Sequence, residues 1–395
     1  MTGAETSAAF PARIPGVRSL SGGDWFLCSM MVIMAVAFLI APAATTGTDD
    51  GDAVATAMIG GSGWALFLIG AGAFVAGVAP VGHRGIRGVL LTSAAVIIGI
   101  AVVGRLWDGY AFSGAGMWAL AGLAALTVLV WAGMSALARH PGRITDIAVP
   151  LVFGGILLFL WEMLALGYQI PRILLPAPTA VLDAMSANGP TLWVDFYQTF
   201  IRSVIPGYLM GCGAGFLVAV AIDRSPFLQR GLLPIGSMVS AMPIVGIAPI
   251  MVMWFGFDWE SKAAVIIVMT FFPMMVNTLA GLQSVGAMER DLMRSYAASY
   301  PQTLSKLRLP GALPYMFNAL KLNSTLALIG AIVAEFFGTP IYGMGFRIST
   351  EVARLNIDIV WATIAVAAVA GSVSYGLLAL LERSVTFWHP SQRSG

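Results

Sequence analysis

Charge is what this sequence is shortest of. Only 10% of its 395 residues are Asp, Glu, Lys or Arg, against 58% apolar. A soluble domain carries about 25% charged residues, so a water-soluble globular protein is excluded. Cysteine is almost missing: Cys28 and Cys212 lie in apolar runs, and no Cys-x-x-Cys occurs. That removes a disulfide framework and a thiolate metal site. His83, His140 and His389 stand far apart in loops, so no His-based metal centre is expected. Gly-Lys never occurs, and with it goes the P-loop; a Gly-x-Ser-x-Gly elbow and a His-Glu-x-x-His helix are missing too. No catalytic residue and no bound cofactor are expected of this chain. The alternating pattern of a membrane barrel is lacking, because the apolar runs are continuous. A net charge of +2 with its cations spread over short loops offers no patch for nucleic acid.

Long apolar runs are what the chain does have. They lie near 25–41, 56–79, 88–104 and 115–138, then 147–167, 197–222, 230–255, 263–284, 318–338 and 358–381. A spanning helix needs roughly 20 apolar residues, so the expectation is an all-α polytopic membrane protein of about ten transmembrane helices. Residues 1–23 are polar and form an expected cytoplasmic tail. Ala41-Pro42-Ala43 resembles a signal-cleavage site, but the polar leader before the run is long for a signal peptide.

The cations orient the helices. With a cytoplasmic N-terminus, the inner loops hold fifteen, among them Arg224, Arg230, Arg290, Arg294, Lys306 and Arg308. The outer loops then hold six: Arg105, Arg172, Arg202, Lys262, Arg347 and Arg354. This positive-inside bias places both termini on the cytoplasmic side. The chain divides near 140–146. A four-helix extension, 24–140, is rich in Ala, Gly and Val. A second part, 141–389, has Pro, Asn and Glu within its helices. Polar groups inside a bilayer are costly and usually mark function, so transport is assigned to the second part, with its core at about 196–383. No internal repeat of 20–50 residues is present.

One polar segment interrupts that core, Glu289 to Pro310. Leu292, Met293, Tyr296 and Tyr300 fall at helical spacing. Ser299 followed by Pro301 and Gln302 has the pattern of a capping box that starts a second short helix. An ordinary loop needs no amphipathic helix pair, so the segment is read as a handle for a cytoplasmic partner. The competing reading is a helix lying on lipid headgroups.

Residues from about 147 onward resemble the permease subunit of binding-protein-dependent ABC importers, in the branch for nitrate, sulfonate, taurine and thiamine precursors. The matching pieces run in family order. They are Leu174-Leu175-Pro176-Ala177-Pro178, then Pro243, Pro249 and Trp254-Phe255-Gly256. Phe272-Pro273 and Asn277-Thr278-Leu279-Ala280-Gly281 follow, then Ala334-Glu335 and Gly343-Met344-Gly345. The family's cytoplasmic signature ends at Leu309-Pro310. Counting back, Asp291 takes its Glu position, Leu292 and Met293 replace two Ala, and Ala297 takes its Gly position. That alanine argues against a left-handed backbone there, while still permitting close approach.

The resemblance implies a type I importer with a six-helix core. It implies that Asp291, Leu292, Met293, Arg294, Ser295, Tyr296, Ala297, Tyr300, Leu309 and Pro310 dock into a cytoplasmic ATPase dimer. ATP and Mg would bind that ATPase. A second permease copy and a periplasmic binding protein complete the implied assembly. The cargo would be a small organic solute, a pyrimidine-type thiamine precursor or similar heterocycle, or else a sulfonate, taurine or nitrate. An ion-coupled secondary transporter is the alternative; it would need inverted repeats with broken helices.

Several residues are candidates for a pathway or gate. Pro243, Pro249 and Pro273 bend helices, and their freed carbonyls either line a path or serve shape alone. Glu162 and Glu335 are intramembrane carboxylates, with Glu335 favoured for a structural or gating role. Asn277 and Asn323 either glue helices or face the path. Gly207, Gly211 and Gly215 make two GxxxG steps for close helix packing, within the chain or against a second copy.

Overall fold

The computed structural model describes residues 117–138 and 143–388, apart from 241, 339 and 340, with scattered positions between 42 and 112. The expected tail 1–23, the run 25–41 and nearly all of 56–79 lie outside the described residues, and only scattered positions of 88–104 are included. The chain forms two compact units, 1–179 and 180–395.

The first unit contains three short strands that the apolar pattern did not announce. β1 (Pro42–Thr45) pairs antiparallel with β2 (Thr56–Ala57) and with β3 (Tyr110–Phe112), in the order β2-β1-β3. Thr56–Ala57, expected to begin a helix, is therefore strand, and the all-α expectation is corrected at these three points. Ladder pairing across a loop decides such short stretches, and periodicity cannot register it. Two helices follow, α1 (Met117–Leu137) and α2 (Arg143–Gly167).

The second unit is helical. α3 (Pro178–Ala187) leads into it across the division between the units. α4 (Gly189–Phe196) runs through a π-helical turn at Tyr197–Val204 into α5 (Ile205–Arg224). Then come α6 (Pro226–Ser240), α7 (Ile244–Phe255) and α8 (Trp259–Gln283). Two short pieces, α9 (Ala287–Ser295) and α10 (Tyr300–Thr303), precede a second π turn, Leu304–Arg308. α11 (Leu309–Glu335), α12 (Met344–Ala353) and α13 (Ile357–Val385) complete it.

Among the described residues, five helices are long and apolar enough to cross a membrane: Val149–Gly167, Gly189–Arg224, Trp259–Gln283, Tyr300–Glu335 and Ile357–Val385. Their outward faces are apolar and exposed, as at Leu217 (66%), Val369 (61%) and Leu380 (66%). Such a surface suits lipid, where an apolar exterior costs nothing. The run 230–255 is not one helix. One helix ends at Ser240 and the next begins at Ile244, with Pro243 as its cap in extended conformation, φ −67° and ψ 121°. Pro243 is thus corrected from a bend within a helix to the start of one. A proline disfavours helix at the residue before it, which ends the first segment.

α8 is the central rod, packed between α5 and α11. The glycine stripe on α5 faces it. A Cβ at Gly207 would lie 2.8 Å from the Cβ of Ile266, and one at Gly215 would lie 2.5 Å from the carbonyl oxygen of Phe271. On its other side, a Cβ at Gly281 would lie 2.9 Å from the Cα of Ala312 in α11. The backbones approach so closely because no side chain stands between them. A rod of this length spans about 37 Å, so its two ends face different surroundings.

Candidate functional site: an exposed hook and two buried ties

At one end of the second unit stands the hook, residues 287–308. α9 carries Glu289 in its first turn and Arg294 in its last, matching the helix dipole, and none of its residues is buried. Met288, Leu292 and Tyr296 are 83%, 57% and 78% exposed. Asp291 and Arg294 form a surface pair at 3.3 Å, and the Ser295 hydroxyl donates to the Asp291 carbonyl at 3.0 Å. The helix ends in a Schellman motif. The Ala298 N–H donates to the Met293 carbonyl (3.0 Å) and the Ala297 N–H to that of Arg294 (2.9 Å). Ala297 has φ +49°, so the left-handed backbone persists without the glycine. The two satisfied carbonyls offset the crowding of its Cβ. At Ser299, the Gln302 side chain accepts from the Ser299 N–H at 2.8 Å, the return half of the capping box.

The predicted apolar stripe divides. Leu292 and Tyr296 face outward, whereas Met293 and Tyr300 are half-buried. The Tyr300 hydroxyl donates to Asp223 Oδ2 at 3.0 Å, and the Arg224 guanidinium lies 5.2 Å from its ring centroid. Leu309 and Pro310 are half-buried in the first turn of α11. At the foot of the hook, Arg308 makes a two-pronged pair with Asp223, Nη1 at 2.6 Å and Nη2 at 2.7 Å. Its Nε donates to the Leu282 carbonyl in the last turn of α8 at 3.0 Å. The two side chains are only 14% and 2% exposed. Asp223 was not singled out by the sequence. A carboxylate at the end of an apolar run reads as ordinary interfacial charge.

The other tie surrounds Glu335, 2% exposed at the far end of α11. The Thr199 hydroxyl lies 2.8 and 3.0 Å from its two oxygens, and the Gly345 N–H donates to it at 2.7 Å. The Met344 N–H in turn donates to the Thr199 hydroxyl at 2.7 Å. Gly343, at φ +136°, donates its N–H to Asp195 at 2.9 Å; a Cβ there would lie 2.8 Å from the Glu335 carboxyl. Arg347 Nε holds the other Asp195 oxygen at 2.7 Å. Burial works against the Arg347 charge, but its bond to Asp195 and the charges of Asp195 and Glu351 outweigh this and raise its pKa. Glu351 also accepts from Arg354 (3.1 Å) and Asn356 (2.8 Å). Lys262 is fully buried nearby, donating to the carbonyls of Phe257 (2.5 Å) and Asp258 (3.1 Å). The sequence singled out Glu335 and Gly343–Gly345 but not Thr199 or Asp195, which the π turn and α4 supply.

Between the ties, Asn323 of α11 donates to the Thr270 carbonyl at 2.8 Å and to Cys212 Sγ at 3.2 Å, so it links α11, α8 and α5. Asn277 donates to the Pro273 carbonyl at 2.8 Å, one turn further along α8. Pro249 lies within α7. Glu335 and Asn323 are more than three turns apart on one helix, about 18 Å, so they do not share one site. In the first unit, Glu162 accepts from Trp107 Nε1 (3.0 Å) and from the Thr179 N–H (3.1 Å) and hydroxyl (2.6 Å). The last two bonds satisfy the start of α3. Among the described residues, no three His, Cys, Asp or Glu side chains are placed to hold a metal ion.

Long apolar spans tied together by buried polar bonds, with a short polar helix pair exposed at one end, define a polytopic helical membrane protein. The comparisons with known proteins narrow this. Residues 211–387 match the family described as the binding-protein-dependent transport system inner membrane component. The chain is 30% identical over 241 residues to the taurine transport system permease protein of Escherichia coli K12, covering 59% of this chain and 87% of that one. It is 27% identical over 243 residues to the formylaminopyrimidine transport permease protein of Halalkalibacterium halodurans, covering 62% and 96%. It is 25% identical over 199 residues to the nitrate import permease protein of Leptolyngbya laminosa, covering 49% and 71%. The chain belongs to the inner membrane components of binding-protein-dependent transport systems. It is a permease subunit of an ABC importer, a multi-pass, non-catalytic component of the inner membrane whose family works with an ATPase and a binding protein. The secondary-transporter alternative is thereby set aside.

Proposed function

We propose that residues 289–310 are the contact through which the partner ATPase drives this permease. The observation that carries the reading is the outward, unpartnered display of Leu292 and Tyr296 on a helix whose base is locked to the bundle. Leu292 and Tyr296 fill an apolar notch on the ATPase, and Arg290 and Arg294 meet its acidic rim. ATP binding closes the ATPase pair and swings the hook; the spans then switch the side to which the pathway opens. The ATPase must bind one permease state better than the other, since equal docking to both would shift nothing.

In this reading the hook and both termini face the cytoplasm. Two copies of the chain frame the pathway. A periplasmic binding protein delivers cargo at the Glu335 end. Four N-terminal spans, 24–140, precede a six-helix importer domain, 141–389, giving about ten spans. Glu335, Asn323, Asn277 and the proline sites shape the gate, with Glu335 structural in the gate rather than a cargo contact. The cargo is a small solute of the kind its relatives are named for, with a pyrimidine-type heterocycle favoured over taurine, other sulfonates or nitrate. A relative named as a formylaminopyrimidine transport permease, matched over 96% of its own length, supports the heterocycle.

The docking test is Leu292→Asp with Tyr296→Asp. The expected result is loss of ATPase co-purification with normal membrane insertion. Unchanged co-purification refutes the reading. Mass spectrometry of the molecule held by the isolated cognate binding protein decides the cargo; an oxyanion there overturns the heterocycle.

A further inference from the structure

The foot of the hook is built differently from its tip. At the tip, Asp291 and Arg294 are 69% and 83% exposed, and a pair so open to water transmits little force. At the foot, Arg308 is held from two sides by groups belonging to other helices. The Asp223 carboxylate ends α5, and the Leu282 carbonyl ends α8. Arg308 itself lies in the π turn that opens into α11. Three spans therefore converge on one guanidinium.

The covalent chain joins the hook directly only to α8 and α11. From α5 the chain reaches the hook only by way of α6, α7 and α8. We propose that Asp223 and Arg308 are the positioning pair that carries the hook's movement into α5, so that α5, α8 and α11 turn together when the ATPase closes. The proposal rests on the docking role given to the hook above.

A two-pronged guanidinium–carboxylate pair fixes orientation as well as distance. A tilt of the hook is thus passed on as a rotation and is not absorbed by side-chain rotamers. Burial keeps water from loosening the pair. Tyr300 adds a bond to the same carboxylate from α10, so the middle of the hook is tied in as well. The glycine contacts of α5 on α8 then leave those two rods no room to slip past one another.

The test uses the full permease–ATPase complex in nanodiscs. A nitroxide is placed at Leu355→Cys, an exposed position at the Glu335 end, in a Cys28→Ser background; Cys212 is buried and stays unlabelled. Pulsed electron spin resonance reads the distance between labels on two copies, without nucleotide and with Mg-ATP plus orthovanadate. The variants are Asp223→Asn, Arg308→Lys, the exchanged pair Asp223→Arg with Arg308→Asp, and Tyr300→Phe.

In Asp223→Asn, which lies outside the docking segment, the expected result is ATPase co-purification and ATP hydrolysis within twofold of the native complex; Arg308→Lys is read by the distance change alone. The nucleotide-driven distance change falls below a third of the native value. The exchanged pair restores at least half of it, and Tyr300→Phe gives an intermediate loss. A merely structural pair would lower co-purification and hydrolysis together. That outcome overturns the proposal, and so does a full distance change in Asp223→Asn. Should Asp223→Asn fail to insert, Tyr300→Phe decides: a full native change there refutes the transmission role. If the native complex shows no nucleotide-driven change, the lever falls and this proposal with it. Failure of the docking reading alone is recognised separately, by ATPase retained in Leu292→Asp with Tyr296→Asp.

Discussion

Replacing Glu335 by alanine should be among the most destabilising single changes in this protein. The carboxylate accepts from the Gly345 N–H at 2.7 Å and from the Thr199 hydroxyl at 2.8 Å, and it is 2% exposed. A hydrogen bond to a charged group contributes about 1.5–3 kcal/mol, and a buried donor left without a partner costs about 1–3 kcal/mol. These effects overlap, so the expected total is about 3–5 kcal/mol. The assay is reversible unfolding in mixed micelles by added dodecyl sulfate, followed by tryptophan fluorescence. A double-mutant cycle with Thr199→Val isolates the hydroxyl's share, expected at about 1–2 kcal/mol of coupling. A Glu335→Ala cost under about 1 kcal/mol, or a coupling under about 0.3 kcal/mol, would refute the view that this cage holds the end of the bundle.

Two further outcomes follow from backbone geometry. Ala297→Gly relieves a left-handed alanine at φ +49° and should stabilise the hook by up to about 1 kcal/mol, read as slower proteolysis between α9 and α10. Faster cleavage would show that the gain in unfolded-chain freedom dominates. Gly211→Ala drives a Cβ into the Thr270 hydroxyl and to 3.0 Å from the Ile267 Cα. It should cost about 1–3 kcal/mol in the same unfolding assay, as overpacked cores do. Gly213→Ala, on the open side of the same helix with nothing within 4 Å, should be silent; equal costs at the two sites would contradict the packing face assigned to the stripe.

How much could be read in advance differs from one part of the site to the next. The hook was legible because its evidence is local: helical spacing at Leu292 and Tyr296, Ser299 followed by Gln302, and charges set among apolar runs. Its left-handed corner was not. Ala297 has no intrinsic preference for φ above zero, and the Schellman bonds that hold it there form only once α9 exists. Pro243 was read as a bend within one helix; whether a proline bends a helix or starts a new one depends on how the neighbouring segments pack. The outward turn of Leu292 and the inward turn of Tyr300 share one apolar stripe in the sequence; Asp223, far away in the chain, is what separates them.

What the sequence determined alone is the solvent. A chain with so few charges and such long apolar runs must satisfy its backbone inside helices and place them in lipid. What only the tertiary structure decided is which of the rare polar side chains meet. Asp223 finds Arg308 across 85 positions, and Thr199 finds Glu335 across 136. Pairings at such separations are set by the close approach of α5, α8 and α11, and no local pattern encodes them.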